Sequence, residues 1–356
     1  MAARRCVDAT GVGIEWDSIS LGESAFLRGG HPLPAEAGRA LLKAGRILKA
    51  PLESGHGVLS RNPNWTLNEL FGVSASLRHV RAFEGAPTAH AGLDLVVIKQ
   101  ESWPETSRLE SDSRDQSWEN LRALGAPAHG AASVRFVSTE RIRNFFEFAL
   151  GYAARNGRRK VTVAHRIGTN PKTDGIWLEA AEKAARRFPS LEFEDMLTEH
   201  LALQLVRSPR RFDVILVPEH EGDTAGNIAV SLAGGLGFVP ETLEGKRGRI
   251  HTTVHGTAPK YAALNRANPC AMILAAADML ECMGEAVAAG AVVAAVRETL
   301  AAGTRTEDAV PVDEPVGWTG TAEFTDEVAA RIAVRMREAG KPGGNTAEKA
   351  GETRVS

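Results

Sequence analysis

With 356 residues, 43% of them hydrophobic and 24% charged, the chain has the composition of a folded globular protein long enough for about two domains. Its 42 basic and 44 acidic side chains leave a net charge of −2, which argues against a nucleic-acid partner; its three cysteines make no disulfide framework and suit a reducing cytoplasm. No stretch reaches the roughly 18 consecutive apolar residues of a spanning helix, so no membrane partner is expected.

The N-terminus is basic at Arg4 and Arg5 but has no apolar core behind it, unlike a secretion signal. Residues 6–11 read as the last turn of a helix and 13–16 as a strand. The expectation is a domain whose first strand is lost or lies upstream. Residues 34–48 read as a helix with Pro34 in its first turn. Residues 93–98, 160–164 and 212–217 are short apolar runs that read as buried strands. Between the first two, 108–129 is charged, Ser-rich and then broken by Gly and Pro, which predicts an excursion from the core. Between the last two, Ile176, Ala180, Ala181, Ala184 and Ala185 recur at helical spacing, predicting a helix over 173–188. A further helix is expected to carry Glu192, Glu194, Asp195 and, near its end, Glu199. Residues 271–283 read as a buried helix. Strands alternating with helices predict an α/β fold with a mostly parallel sheet flanked by helices. The tail, 341–356, is polar and Gly-containing and reads as disordered.

Four segments carry candidate chemistry. Glu219, His220, Glu221 and Asp223 follow the strand at 212–217, where open α/β sheets bind ligands. With Glu199 they suit a hard divalent cation, or they are solvated loop acids. The Gly-rich run 231–237 reads equally as a phosphate cradle or as a close-packed turn. His255, Gly256, Lys260 and Tyr261 lie in a Pro- and Gly-fixed loop that can hold a base and a phosphate, or is a plain surface turn. Arg166 ends the strand at 160–164. It is placed to meet a carboxylate or phosphate in bidentate fashion, or is an ordinary strand-end charge.

Together these segments resemble one family from about residue 11 to 337. His255-Gly256-Thr257-Ala258-Pro259 followed by Asn268-Pro269-Cys270-Ala271-Met272 carries the resemblance most specifically. Phe212-Asp213-Val214-Ile215 leading to Gly222-Asp223, Leu232-Ala233-Gly234-Gly235-Leu236-Gly237 and Leu48-Lys49-Ala50-Pro51 extend it. The sequence is similar to the β-decarboxylating dehydrogenases, which include the isocitrate and isopropylmalate dehydrogenases. The resemblance implies NADP-linked (or NAD-linked) oxidation of a 2-hydroxy acid, helped by Mg²⁺ or Mn²⁺. It implies a homodimer with shared active sites. It assigns 1–73 and 234–340 to a large nucleotide-binding domain and 74–106 and 139–233 to a small dimerisation and metal domain, with a clasp arm over 107–138.

Carried over residue by residue, the resemblance points to a divergent site. The metal aspartates fall on Glu199, Asp223 and Asn227. The catalytic lysine falls on Arg166, which cannot act as a base near neutrality, and the catalytic tyrosine on Thr106, a far weaker acid. The substrate arginines fall on Asn68, Arg78 and Lys99, and the flanking pocket residues on Asn62 and Asn64. Fewer cations imply a less anionic substrate. The turn next to nicotinamide falls on Glu53 and Ser54. Lys49, His255, Gly256, Thr257, Ala258, Lys260, Tyr261 and Asn268 are the expected cofactor residues, with Lys260 favouring a 2′-phosphate. The alternatives are a non-catalytic subunit, or the same fold used for non-redox chemistry with Glu199, Asp223 or His220 as acid or base.

Overall fold

A strand that is apolar at every position can be stable only if both faces of its sheet are covered. Residues 95–98, within the apolar run read at 93–98, meet that condition. In the computed structural model, which describes residues 1–52, 62–88, 90–101, 109–310 and 317–340, they enter the middle of an eight-stranded sheet.

The strands are β1 (Arg46–Leu48), β2 (Val73–Arg81), β3 (Asp94–Gln100), β4 (Leu109–Asp112), β5 (Ala131–Val134), β6 (Lys160–His165), β7 (Glu192–Leu197), β8 (Val214–Val217), β9 (Pro240–Gly245) and β10 (Gly248–Thr253). The helices up to the fifth are α1 (Ala2–Asp8), α2 (Glu23–Gly29), α3 (Ala35–Ala44), α4 (Pro63–Phe71) and α5 (Trp118–Arg122). Then come α6 (Thr139–Arg155), α7 (Thr173–Ala185), α8 (Thr198–Arg207), α9 (Glu219–Leu232), α10 (Cys270–Cys282), α11 (Ala286–Ala301) and α12 (Thr321–Glu338). The main sheet runs β1-β10-β9-β2-β3-β8-β6-β7. Its pairs are parallel except β10–β9, β9–β2 and β2–β3.

Alternation along each strand sorts the core. Val96 and Ile98 of β3, with Val161, Val163, Val214 and Leu216, pack under α6 and α7. Leu95 and Val97, with Ile215 and Val217, pack under α8 and α9 on the other face. A third cluster joins α1, α10, α11 and α12, and a fourth joins α3 and α4 to β1, β9 and β10. Residues 109–134 leave this sheet: β4 and β5 form a separate antiparallel pair joined through α5.

Four local expectations are corrected. The helix expected over 34–48 stops at Ala44 because Gly45 takes a left-handed conformation, φ 66°, and 46–48 become strand β1. Residues 13–16 belong to no strand; Ile14 and Trp16 pack on the α1/α10 core without joining a ladder. Glu192, Glu194 and Asp195 lie on edge strand β7 rather than a helix, and Glu199 lies in the first turn of α8 rather than near a helix end. The acids at 219–223 form the first turns of α9, not a loop. Residues 6–11 do end a helix: Thr10 N–H and Gly11 N–H close the last turn onto Val7 and Asp8 carbonyls.

Candidate active site

Helix α9 starts where β8 ends, at the carboxyl edge of the parallel strands, the usual ligand position in such sheets. Its sequence is unusual for a helix: Gly222 and Gly226 stand one turn apart, each costing about 1 kcal/mol against alanine. Their missing side chains make room for two cations. A Cβ on Gly222 would lie 2.3 Å from the Lys99 stem, and one on Gly226 would lie 2.4 Å from Arg78 Nη1. The glycine face of α9 is therefore a trough that seats Arg78 of β2 and Lys99 of β3.

Both cations converge on Asp223. Lys99 Nζ donates to Asp223 Oδ1 at 2.9 Å and Arg78 Nη2 donates to the same oxygen at 3.3 Å. Arg78 Nη1 reaches Asn227 Oδ1 at 3.3 Å, and its Nε reaches Glu241 Oε1 at 2.8 Å. Lys99 also pairs with Glu101 at 2.9 Å. Burial acts to raise the Asp223 carboxyl, but Lys99 and then Arg78 outweigh it and hold it below the usual carboxylate range. Burial acts to lower Lys99, but Glu101, then Asp223 and Glu241, hold it well above the ordinary lysine value.

Around this cluster lies a cleft of about 370 Å³. Lys49, Asn64, Asn68, His255 and Gly256 line it together with Arg78, Lys99 and Asp223, so the structure gathers eight of the sequence-predicted site residues. Glu101 and Glu241 line it too, and sequence reasoning missed both. Glu241 is a strand residue 163 positions from its partner Arg78, and nothing local marks it.

Arg166 and Glu199 form a second cluster. Arg166 Nε donates to Glu199 Oε1 at 2.8 Å and its Nη1 to Glu221 Oε1 at 3.2 Å. Glu221 and then Glu199 raise Arg166 still further above neutrality. The two lie on a separate hollow of about 410 Å³ with Leu197, His200 and Leu203. Glu199 pairs with Arg166, and Asp223 with Arg78 and Lys99. Among the described residues no three His, Cys, Asp or Glu side chains converge as a metal site. Asp223 and Asn227, four residues apart on one face of α9, offer two hard oxygen donors.

The other predicted residues are placed as follows. Asn62 caps α4, its Oδ1 accepting from Asn64 N–H at 2.9 Å. Lys260 and Tyr261 are exposed on their loop, with Lys260 Nζ 5.0 Å from the Tyr261 ring centre. Thr257 and Ala258 lie exposed on the same loop, Ala258 in the left-handed region at φ 46°. Asn268 Oδ1 accepts from Cys270 N–H at the start of α10, and its Nδ2 donates to Asp308. The Gly-rich run is used for packing: Gly234, φ 106°, sits where a Cβ would press on Phe238, Ala86 and Pro87. His220 accepts from Arg135; burial, then Arg135, bring it down to about 4, so it is neutral at pH 7. Thr106, Glu53, Ser54 and the tail at 341–356 lie outside the described residues.

Lys49 is the one described cleft lysine whose proton is labile near neutrality. It is 9% exposed, and its Nζ donates to Asn64 Oδ1 at 3.2 Å. Burial, opposed by Glu241, lowers it from 10.5 to about 8. Below pH 8 both folded and unfolded chains hold this proton, and folding bears the full cost of burying the charge. Between 8 and 10.5 only the unfolded chain holds it, so stability rises with pH through that window, by about 3 kcal/mol. Urea unfolding at stepped pH is expected to show this rise in the wild type and to lose it in Lys49→Met.

The chain is similar in sequence and fold to known proteins. The family model described as isocitrate/isopropylmalate dehydrogenase matches residues 4–328. The chain is 29% identical to the probable mitochondrial NAD isocitrate dehydrogenase subunit alpha of Drosophila melanogaster, over 93% of this chain and 83% of that protein. It is 30% identical to the 3-isopropylmalate dehydrogenase of Methanothermobacter thermautotrophicus, covering 93% of each. The crystal structure of isocitrate dehydrogenase from Methylococcus capsulatus is similar with a TM-score of 0.83 and 31% identity, over 93% of this chain and 94% of that one.

Proposed function

The chain belongs to the isocitrate/isopropylmalate dehydrogenase family, and from that premise we propose that it is an NADP-linked oxidoreductase acting on an unusual 2-hydroxy acid of low charge, with metal assistance and with or without decarboxylation of the product. The observation that carries this reading is the cleft itself, where Asp223 is held between Arg78 and Lys99 within reach of Lys49 and of the His255–Gly256 loop. A carboxylate of the substrate would meet Arg78 or Lys99 there, and Asn64 and Asn68 would orient its hydroxyl. Arg166 cannot take a proton, and Lys99 is held strongly protonated. Proton uptake from the hydroxyl therefore falls to Lys49, lowered to about 8.

The exposed Lys260–Tyr261 pair fits a 2′-phosphorylated nucleotide. Asp223 and Asn227, with Glu199 from a second copy, would hold Mg²⁺ or Mn²⁺ weakly, because Arg78 and Lys99 already occupy Asp223. When bound, the nicotinamide accepts the hydride and the divalent ion polarises the new carbonyl. Leu197 and Leu203, 46% and 51% exposed beside Arg166 and Glu199, with Val206 60% exposed further along α8, support a homodimer that brings the second cluster to the cleft of its mate. The division into a large domain (1–73 and 234–340), a small domain (74–106 and 139–233) and a clasp arm belongs to the same reading. So does a cytoplasmic setting; all three cysteines are free, and no described helix is long and apolar enough to cross a membrane.

One observation favours a non-redox or regulatory role instead: Arg166 is committed to Glu199 and Glu221, where a proton-exchanging group is needed. Incubating pure protein with NADP⁺, Mn²⁺ and a panel of 2-hydroxy acids separates the two readings. NADPH formed with at least one acid supports oxidation; none with any acid supports the second.

A further inference from the structure

Helix α10 is apolar along almost its whole length, with Ile273, Leu274, Ala277, Met279 and Leu280 buried. Asp278 interrupts that run, its side chain only 14% exposed. An acid so placed is costly unless it is paired. Burial acts to raise the Asp278 carboxyl, but His79 of β2 and then Arg81 outweigh it and hold it below the usual carboxylate range. The His79 ring Nδ1 lies 3.1 Å from each Asp278 oxygen, and because a carboxylate only accepts, Nδ1 donates. The other ring nitrogen, Nε2, meets the Tyr152 hydroxyl of α6 at 2.5 Å. Three side chains thus link α6 to α10 behind the sheet, and the redox reading gives them no task.

The place of His79 on β2 supplies one. Arg78 and His79 are neighbours on a strand, so they point to opposite faces: Arg78 into the trough of α9, His79 toward α6 and α10. The β2–β9 ladder ends at the pair Arg78–Glu241. From His79 to Arg81, β2 pairs only with β3 among the described residues. Arg78 therefore sits where two strands part, and the first residue past that point ties β2 to α10 instead. Little slack is tolerable there. A Cβ on Gly226 would lie 2.4 Å from Arg78 Nη1, and Arg78 reaches Asn227 and Asp223 at 3.3 Å each. A shift of about 0.5 Å takes both contacts past hydrogen-bond range.

We propose that His79 is a positioning residue: clamped between Asp278 and Tyr152 behind the sheet, it fixes the place of Arg78 in the cleft. It touches no substrate and acts through Arg78. The use of Arg78 on a substrate carboxylate rests on the hydroxy-acid reading above; the clamp itself does not.

Replacing all three groups by apolar ones in the full chain, His79→Leu with Tyr152→Phe and Asp278→Leu, removes the clamp and strands none of its members, which protects the fold. The readout is the Arg78 Nε–H signal in ¹⁵N nuclear magnetic resonance, which the bond to Glu241 shields from exchange and which Arg78→Lys identifies by its loss. In the folded triple variant this proton is expected to exchange with water at least about fivefold faster than in the wild type. Unchanged exchange in that variant, or no protected Arg78 signal in the wild type, overturns the proposal. Should the triple variant fail to fold, Tyr152→Phe decides: exchange about twofold faster supports the clamp, and no change overturns it. With any 2-hydroxy acid that the wild type oxidises, the triple variant is expected to raise KM for the acid at least about fivefold while KM for NADP⁺ stays within about twofold. A purely structural network would move neither. If the wild type oxidises no acid, the hydroxy-acid reading falls, and the Arg78 exchange still decides the clamp.

Discussion

Trp177→Ala is expected to destabilise the chain by about 3–5 kcal/mol, read as a lowered urea midpoint at unchanged slope. Trp177 is 2% exposed on α7, and its ring centre lies 5.2 Å from that of Phe145 and 4.4 Å from that of Phe146 on α6. Its indole N–H donates to the Ala164 carbonyl at 2.9 Å, tying the helix layer to β6 one residue before the strand's end. Truncation loses aromatic burial, leaves a cavity between two helices and the sheet, and strands that carbonyl. Trp177→Phe keeps most of the volume and should recover more than half of the loss. Because Ala164 leads directly to His165 and Arg166, the alanine variant should also loosen the Arg166–Glu199 pair.

The second large effect concerns the nucleotide. Lys260→Asp is expected to weaken NADPH binding about 10- to 100-fold while leaving NADH unchanged or tighter, read by nicotinamide fluorescence titration. A lysine ammonium meeting a 2′-phosphate makes a charge-assisted contact of about 1.5–3 kcal/mol. An aspartate repels that phosphate and instead accepts from a ribose hydroxyl. Lys260 is exposed, with its ammonium over the Tyr261 ring, so the substitution costs the fold little. Equal weakening of both nucleotides would mean that the loop shapes the site without reading the 2′-position.

How much of this was legible in the sequence depends on whether a feature is local. The apolar runs 95–98 of β3 and 214–217 of β8 could be recognised because four consecutive apolar residues in a short strand mean cover on both faces. The end of α3 was misjudged because Gly45 acts as a left-handed stop within an otherwise continuous apolar rhythm. The acids of β7 suggested a helix because an edge strand is polar on more than one face. Arg78, Lys99 and Asp223 were reachable through family resemblance. Glu101 and Glu241 were not, since their meaning lies in pairs made across strands. Gly222 and Gly226 did leave a trace: two helix-weakening residues one turn apart on a helix that opens at a strand end signal a close neighbour.

The most direct test is the appearance of reduced nicotinamide absorbance when pure wild-type protein meets NADP⁺, Mn²⁺ and a panel of 2-hydroxy acids, run beside Lys99→Ala. NADPH forming with at least one acid in the wild type, and falling at least about tenfold in the variant, is the predicted result. No NADPH with any acid, from protein that still binds the nucleotide, would contradict the account.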